Sequence, residues 1–144
     1  MNPGGISLLL LRLALSYVWL TAGLSKLFNA KFISTFSGTL EGFAKGTHYS
    51  FYADVLKDHI IPHSQIFAQL TIWGEILTGV AFLLGFPLFL ATAIGIFMNL
   101  NYFFVATIIP SQFLNIIMIF SQLAAYANNA GGFWGLSASI SKEH

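Results

Sequence analysis

The sequence predicts an all-α integral membrane protein, a four-helix antiparallel bundle with short interfacial helices between its first and second spans. Three observations lead there. Of the 144 residues, 56% are apolar and only 8% charged, proportions that suit a bilayer rather than water. Four apolar segments, near 6–28, 65–85, 87–108 and 112–129, each approach the ~20 residues with which a helix rising ~1.5 Å per residue crosses the hydrocarbon core. The links between the last three are so short that these spans must form consecutive hairpins, and backbone groups in lipid must be satisfied within the bundle. One transmembrane domain covers residues 1–144.

The first span is expected to be retained rather than cleaved as a secretory signal. No Lys or Arg precedes it, Arg12 lies inside it, and no small-x-small cleavage site is convincing. The connection at 29–64 carries Phe32, Phe36, Leu40 and Phe43 at helical spacing, then Phe51 or Tyr52, Val55, Leu56 and Ile60, with Asp54, Lys57 and Asp58 on the other side. Two interfacial helices fit, parted at Gly46, with Tyr49, Phe51 and Tyr52 at headgroup level. Such helices either cap the bundle or form a lid over a binding site. Ser64 is placed to cap the second span and Gly85 to end it; Pro87 suits a first helical turn, and Pro110-Ser111 divides the third span from the fourth. The tail offers Phe133 and Trp134 as an interfacial anchor, followed by polar residues expected to be mobile.

A net charge of +1 supplies no basic surface, so nucleic acid is not an expected partner; the lipid bilayer is. The chain has no cysteine and therefore no disulfide, thiolate metal site or thiol relay of its own. An even number of spans puts both termini on one side of the membrane. Lys31, Lys45 and Lys57 outnumber Lys142, which weakly favours a cytoplasmic connection.

Glu75 is the conspicuous residue, an acid in the run LTIWGEILTGVAFLLG. At about 100° per residue, Arg12, Ser16, Trp19, Gly23 and Lys26 share a sector of the first span. Ala68, Thr71, Glu75, Thr78 and Gly79 share one on the second, Thr92, Gly95, Asn99 and Tyr102 on the third, and Asn115, Gln122, Tyr126 and Asn129 on the fourth. Four polar stripes imply one shared polar interior, closed by small residues and interhelical hydrogen bonds. An ionisable group at mid-helix costs roughly 2.5–3.5 kcal/mol on insertion scales and so seeks a partner. With each span centred at similar depth, Arg12 lies within about 7 Å of rise of Glu75 and is the expected partner. Glu75 is then either the acid of an ion pair that fixes register or a group that exchanges a proton with a bound ligand.

Lys26, at the end of its span, reads most simply as a residue snorkelling to the interface. His59 and His63 have helical spacing, but Pro62 spoils the geometry for a shared metal, which leaves His63 as a loop histidine near a ligand headgroup. Trp19 and Trp73 sit at mid-depth and read as helix packing.

The runs LRLALSYVWLTAGLSKLF, YADVLKDHIIPHSQIFAQLTIWGEILTGVAFLLGF and IGIFMNLNYF, in that order from about residue 8 to about residue 130, resemble the DoxX/DoxD family of small four-helix membrane proteins. DoxD members are known as the membrane subunit of thiosulfate:quinone oxidoreductase. The resemblance implies a quinone-reactive redox subunit in a prokaryotic cytoplasmic membrane, acting with a second redox subunit or as a homo-oligomer. It implies quinone as substrate and carries Arg12, Lys26, Glu75, Gly79, Asn99 and Asn101 over as the polar core. Metal, haem and flavin are not expected in this chain.

On that expectation Asn99, Gln122 or Tyr126 donates to the quinone carbonyls, with Asn101 and His63 nearby. Glu75 supplies a proton, and Arg12 or Lys26 holds an anionic substrate. The alternative is a non-catalytic accessory subunit whose polar interior stabilises a larger respiratory or redox complex. A transporter fits less well, since no inverted repeat or broken span is visible.

Overall fold

A computed structural model describes residues 3–136; the polar tail from residue 137 on, Lys142 included, lies outside the described residues. The chain runs through α1 (Pro3–Leu27), α2 (Phe32–Gly46) and α3 (Ser50–Val55), then a π-helical turn (Leu56–Ile60) and a 3-10 turn (Ile61–His63). It continues through α4 (Ser64–Leu84), α5 (Leu88–Val105) and α6 (Ile109–Ala127) to a 3-10 turn at Ala130–Gly132, with no strand among the described residues. α1, the continuous stretch Ser50–Leu84, α5 and α6 are long and apolar enough to cross a membrane. The protein is an integral membrane bundle.

Element ends follow local chemistry. Gly85 terminates α4 at φ 71°, a left-handed conformation that costs glycine least. Pro110 lies within the first turn of α6 rather than ahead of it, where a missing N–H costs nothing. Ser64 makes no side-chain cap. The chain enters α4 already helical through the π and 3-10 turns, so the backbone N–H groups that a cap would satisfy are taken by the preceding residues, and Pro62 is absorbed in the tighter turn.

α1 and α4 form the closest pair, and glycine makes their contact. A Cβ on Gly79 would stand 2.8 Å from the Leu20 backbone nitrogen, and one on Gly23 would stand 3.0 Å from that of Ile76. The two backbones therefore touch as in small-residue membrane packing. Ser16 Oγ adds a hydrogen bond to the Gly79 carbonyl at 2.8 Å. These contacts fix the register, with Gly23 beside Ile76 and Leu20 beside Gly79. α5 packs between α4 and α6, and α6 is the least enclosed of the spans.

Two apolar clusters result. One fills the bundle with Leu15, Trp19, Phe82, Leu88, Met98 and Ala125. The other joins Phe36, Leu40, Tyr52, Leu56, Ala68 and Val105, because the apolar stripe of α2 folds back onto α4 and α5 at the end of the bundle where α1 finishes. Tyr52 stacks on Phe104 there at 5.2 Å between ring centroids, and the Thr47 hydroxyl donates to the Phe104 carbonyl.

Candidate functional site

Glu75 lies on the buried stripe of α4 with Ala68, Ile72, Thr78 and Gly79, and only 1% of it is exposed. The register set by Gly23 and Gly79 places the last turn of α1 beside it. From there Lys26 Nζ donates to Glu75 Oε1 at 2.8 Å and to Oε2 at 2.7 Å, and its third hydrogen is directed to the Ala22 carbonyl at 3.3 Å. Tyr102, near the end of α5, donates its hydroxyl to Glu75 Oε1 at 2.5 Å. A carboxylate flanked by a cation and a phenol replaces in protein much of the solvation that it loses on burial. Three helices are tied together at this one acid.

Beside the triad lies a cavity of about 300 Å³ enclosed by α2, the α3 region, α4 and α5. Its walls are mainly apolar, with Phe36, Phe43, Leu56, Phe67 and Met98 among them, and Leu70 and Phe97, exposed on the outer face of the bundle, form part of its rim. Lys26 and Tyr102 line it; Glu75 stands behind them. Tyr52 and Asn101 add a second polar pair to the wall, joined by a hydrogen bond of 2.5 Å. α2 is thus both a cap on the bundle and one wall of this cavity.

The expected Arg12–Glu75 pair does not form. In the observed register Glu75 is level with Leu24, about twelve residues or ~18 Å of rise from Arg12. Assigning equal depth to the two span centres made them neighbours; the glycine contact slides α1 away from that alignment. Arg12 is 2% exposed at the opposite end of the bundle, donating to the carbonyls of Ala130 at 3.4 Å and Trp134 at 3.3 Å. Lys26, expected to snorkel, takes the place given to Arg12.

The single polar interior is divided as well. Gln122 is buried mid-bundle, accepting from Trp19 Nε1 at 3.2 Å, in a space that a Cβ on Gly95 would occupy. Asn99 is buried and donates to the Gly95 carbonyl of its own helix. Neither lines the cavity. Tyr126 is 46% exposed and packs against Phe89, and His63 is exposed at the entrance to α4. Of the expected ligand-binding residues, the cavity gathers Lys26 and Asn101. It adds Tyr102 and Tyr52, which the sequence showed only as one member of a polar stripe and one interfacial aromatic. The signal in the sequence is the pair of small residues themselves: close backbone approach of α1 and α4 at Gly23 and at Gly79 puts the last turn of α1, with Lys26, next to Glu75. No group of three or more His, Cys, Asp or Glu suited to a metal occurs among the described residues.

A family model described as DoxX matches residues 7–109. The chain belongs to the DoxX family. The matched stretch runs from α1 to the start of α6 and contains every residue of the triad and of the cavity wall, whereas Gln122 and Tyr126 lie beyond it. Neither a curated protein nor a solved structure matches the chain. Within this DoxX chain, the arrangement at the end of α1 can hold a lipid-soluble molecule against a phenol whose hydrogen-bond partner is a buried carboxylate.

Proposed function

We propose that this chain is a quinone-reactive membrane subunit, binding a lipid-soluble quinone in the cavity beside Lys26, Glu75 and Tyr102. The observation that carries the reading is the cavity itself: about 300 Å³, mainly apolar, with exposed Leu70 and Phe97 at its rim and the Lys26 and Tyr102 side chains on its wall. Sites for small apolar ligands combine such walls with a few convergent polar groups. Tyr102 meets the ligand, and Glu75, reached through Tyr102, is the reservoir for the proton that accompanies quinone redox change. The electrons are exchanged with a partner redox protein, in a system of the thiosulfate:quinone oxidoreductase type in which the sulfur anion is the partner's substrate.

A second reading, a non-catalytic accessory subunit, draws support from the completeness of the triad, in which each Lys26 hydrogen and the Tyr102 hydroxyl already has an acceptor. Purification in mild detergent with mass spectrometry of retained quinone separates the two. Thr39 is exposed and lies on the cavity wall, so Thr39→Trp should obstruct the cavity without disturbing the bundle. Quinone retained by the wild type and lost from Thr39→Trp and Glu75→Gln is the expected result. Equal retention in all three, or none in any, favours the accessory role.

A further inference from the structure

The polar groups on the cavity wall have a direction, and it bears on which form of the ligand they accept. Lys26 has three N–H hydrogens and three acceptors, both oxygens of Glu75 and the Ala22 carbonyl, so none is left for a ligand. Glu75, ionised against Lys26, can only accept. Tyr102 must therefore donate to it, and the free lone pairs of the phenol oxygen are what the cavity receives. The Tyr52–Asn101 pair resolves in the same way. Asn101 Nδ2 donates to the Phe97 carbonyl at 2.7 Å, which fixes the amide orientation and turns its oxygen to Tyr52, so Tyr52 is again the donor in its pair. Thr39 spends its hydrogen on the Thr35 carbonyl. The donors left over are the Thr71 hydroxyl, which accepts equally well, and one hydrogen of the Asn101 amide.

We infer that the cavity recognises a hydrogen-bond donor, so that it selects the hydroxyl-bearing, reduced form of its quinone-class ligand over the oxidised form, with Tyr102 and Tyr52 as the specificity-determining acceptors. The inference rests on the quinone reading above. A hydroquinone hydroxyl directed at Tyr102 completes a chain of donors that ends on Glu75, and a phenol already donating to an anion is a stronger acceptor for the next link. A quinone carbonyl in the same place brings lone pair against lone pair. Between walls so largely apolar such a mismatch is costly, because neither oxygen recovers the hydrogen bond it had elsewhere.

The test is equilibrium binding to the purified chain in lipid nanodiscs with three probes: decylubiquinol kept reduced under anaerobic conditions, decylubiquinone, and the di-O-methyl ether of decylubiquinol, which keeps the ring and tail but has no donor. Decylubiquinol should bind at least about tenfold more tightly than either other probe. Tyr102→Phe, which leaves Lys26 and Glu75 paired, should narrow the gap between decylubiquinol and the other two probes, and adding Tyr52→Phe should bring the three affinities together. If decylubiquinone or the ether binds as tightly as decylubiquinol, the donor selectivity is wrong while the quinone reading stands. If no probe binds, both fall.

Discussion

The two ends of the bundle each bury a charged side chain and treat it differently. At the Lys26 end the acid has a cation and a phenol as partners, and empty space lies beside them. At the Arg12 end the hydrogen-bond partners of the guanidinium among the described residues are the backbone carbonyls of Ala130 and Trp134, and it is packed against Gly85 and Gly135, where any Cβ would strike its Nη1. One nitrogen, Nε, has no hydrogen-bond partner among the described residues. Burial alone therefore does not distinguish a site from a strut. Space for a second molecule next to the charged group sets the Lys26 end apart: the cavity described above has Lys26 and Tyr102 on its wall, and Arg12 does not line it.

Separating the partners at the Lys26 end should have the largest effect on stability. Glu75→Leu leaves Lys26, 24% exposed, without its counter-charge and should cost about 3 kcal/mol, the low end for a broken buried pair. Adding Lys26→Met should recover most of it. Denaturant unfolding in detergent micelles measures both, and a double variant no more stable than the single one would mean that the ion pair does more than neutralise charge. Next comes the contact common to both ends. Gly79→Ala forces a methyl against the Leu20 backbone and should cost about 1–3 kcal/mol, with ligand retention falling as well, since the register that brings Lys26 to Glu75 moves with it. The smallest effect is expected at the other end. Arg12→Met should cost about 1 kcal/mol, the worth of typical hydrogen bonds to backbone, and leave quinone retention unchanged. Quinone loss in Arg12→Met would show that the two ends communicate.

The sequence made the helices legible because spanning a bilayer demands length and apolarity, and each predicted span lies within a few residues of the helix observed. Gly85 was legible as a terminator for a local reason that no packing could override. Glu75, Lys26 and Tyr102 were each placed on inward stripes. Their meeting was not visible, because periodicity fixes the angle around a helix axis and says nothing about how far one helix slides along another. That slide depends on Gly23 meeting the Ile76 backbone and Gly79 meeting the Leu20 backbone. The partners of Arg12 are hidden from the sequence for a related reason: they are the carbonyls of Ala130 and Trp134, in an irregular segment after α6 for which no periodic signal exists. The cavity depends on how α2 lies across α4 and α5, which amphipathicity suggests only in outline.

The Arg12 contacts also bear on how the protein is assembled. They join residues 118 and 122 positions apart, spanning nearly the whole chain. A ribosome delivers α1 to the membrane long before it has made Ala130 or Trp134, and contacts of such long sequence separation close late. Until Ala130 and Trp134 are made their carbonyls cannot take the Arg12 guanidinium, so the clasp between the first span and the segment after α6 closes only after all four spans have been synthesised.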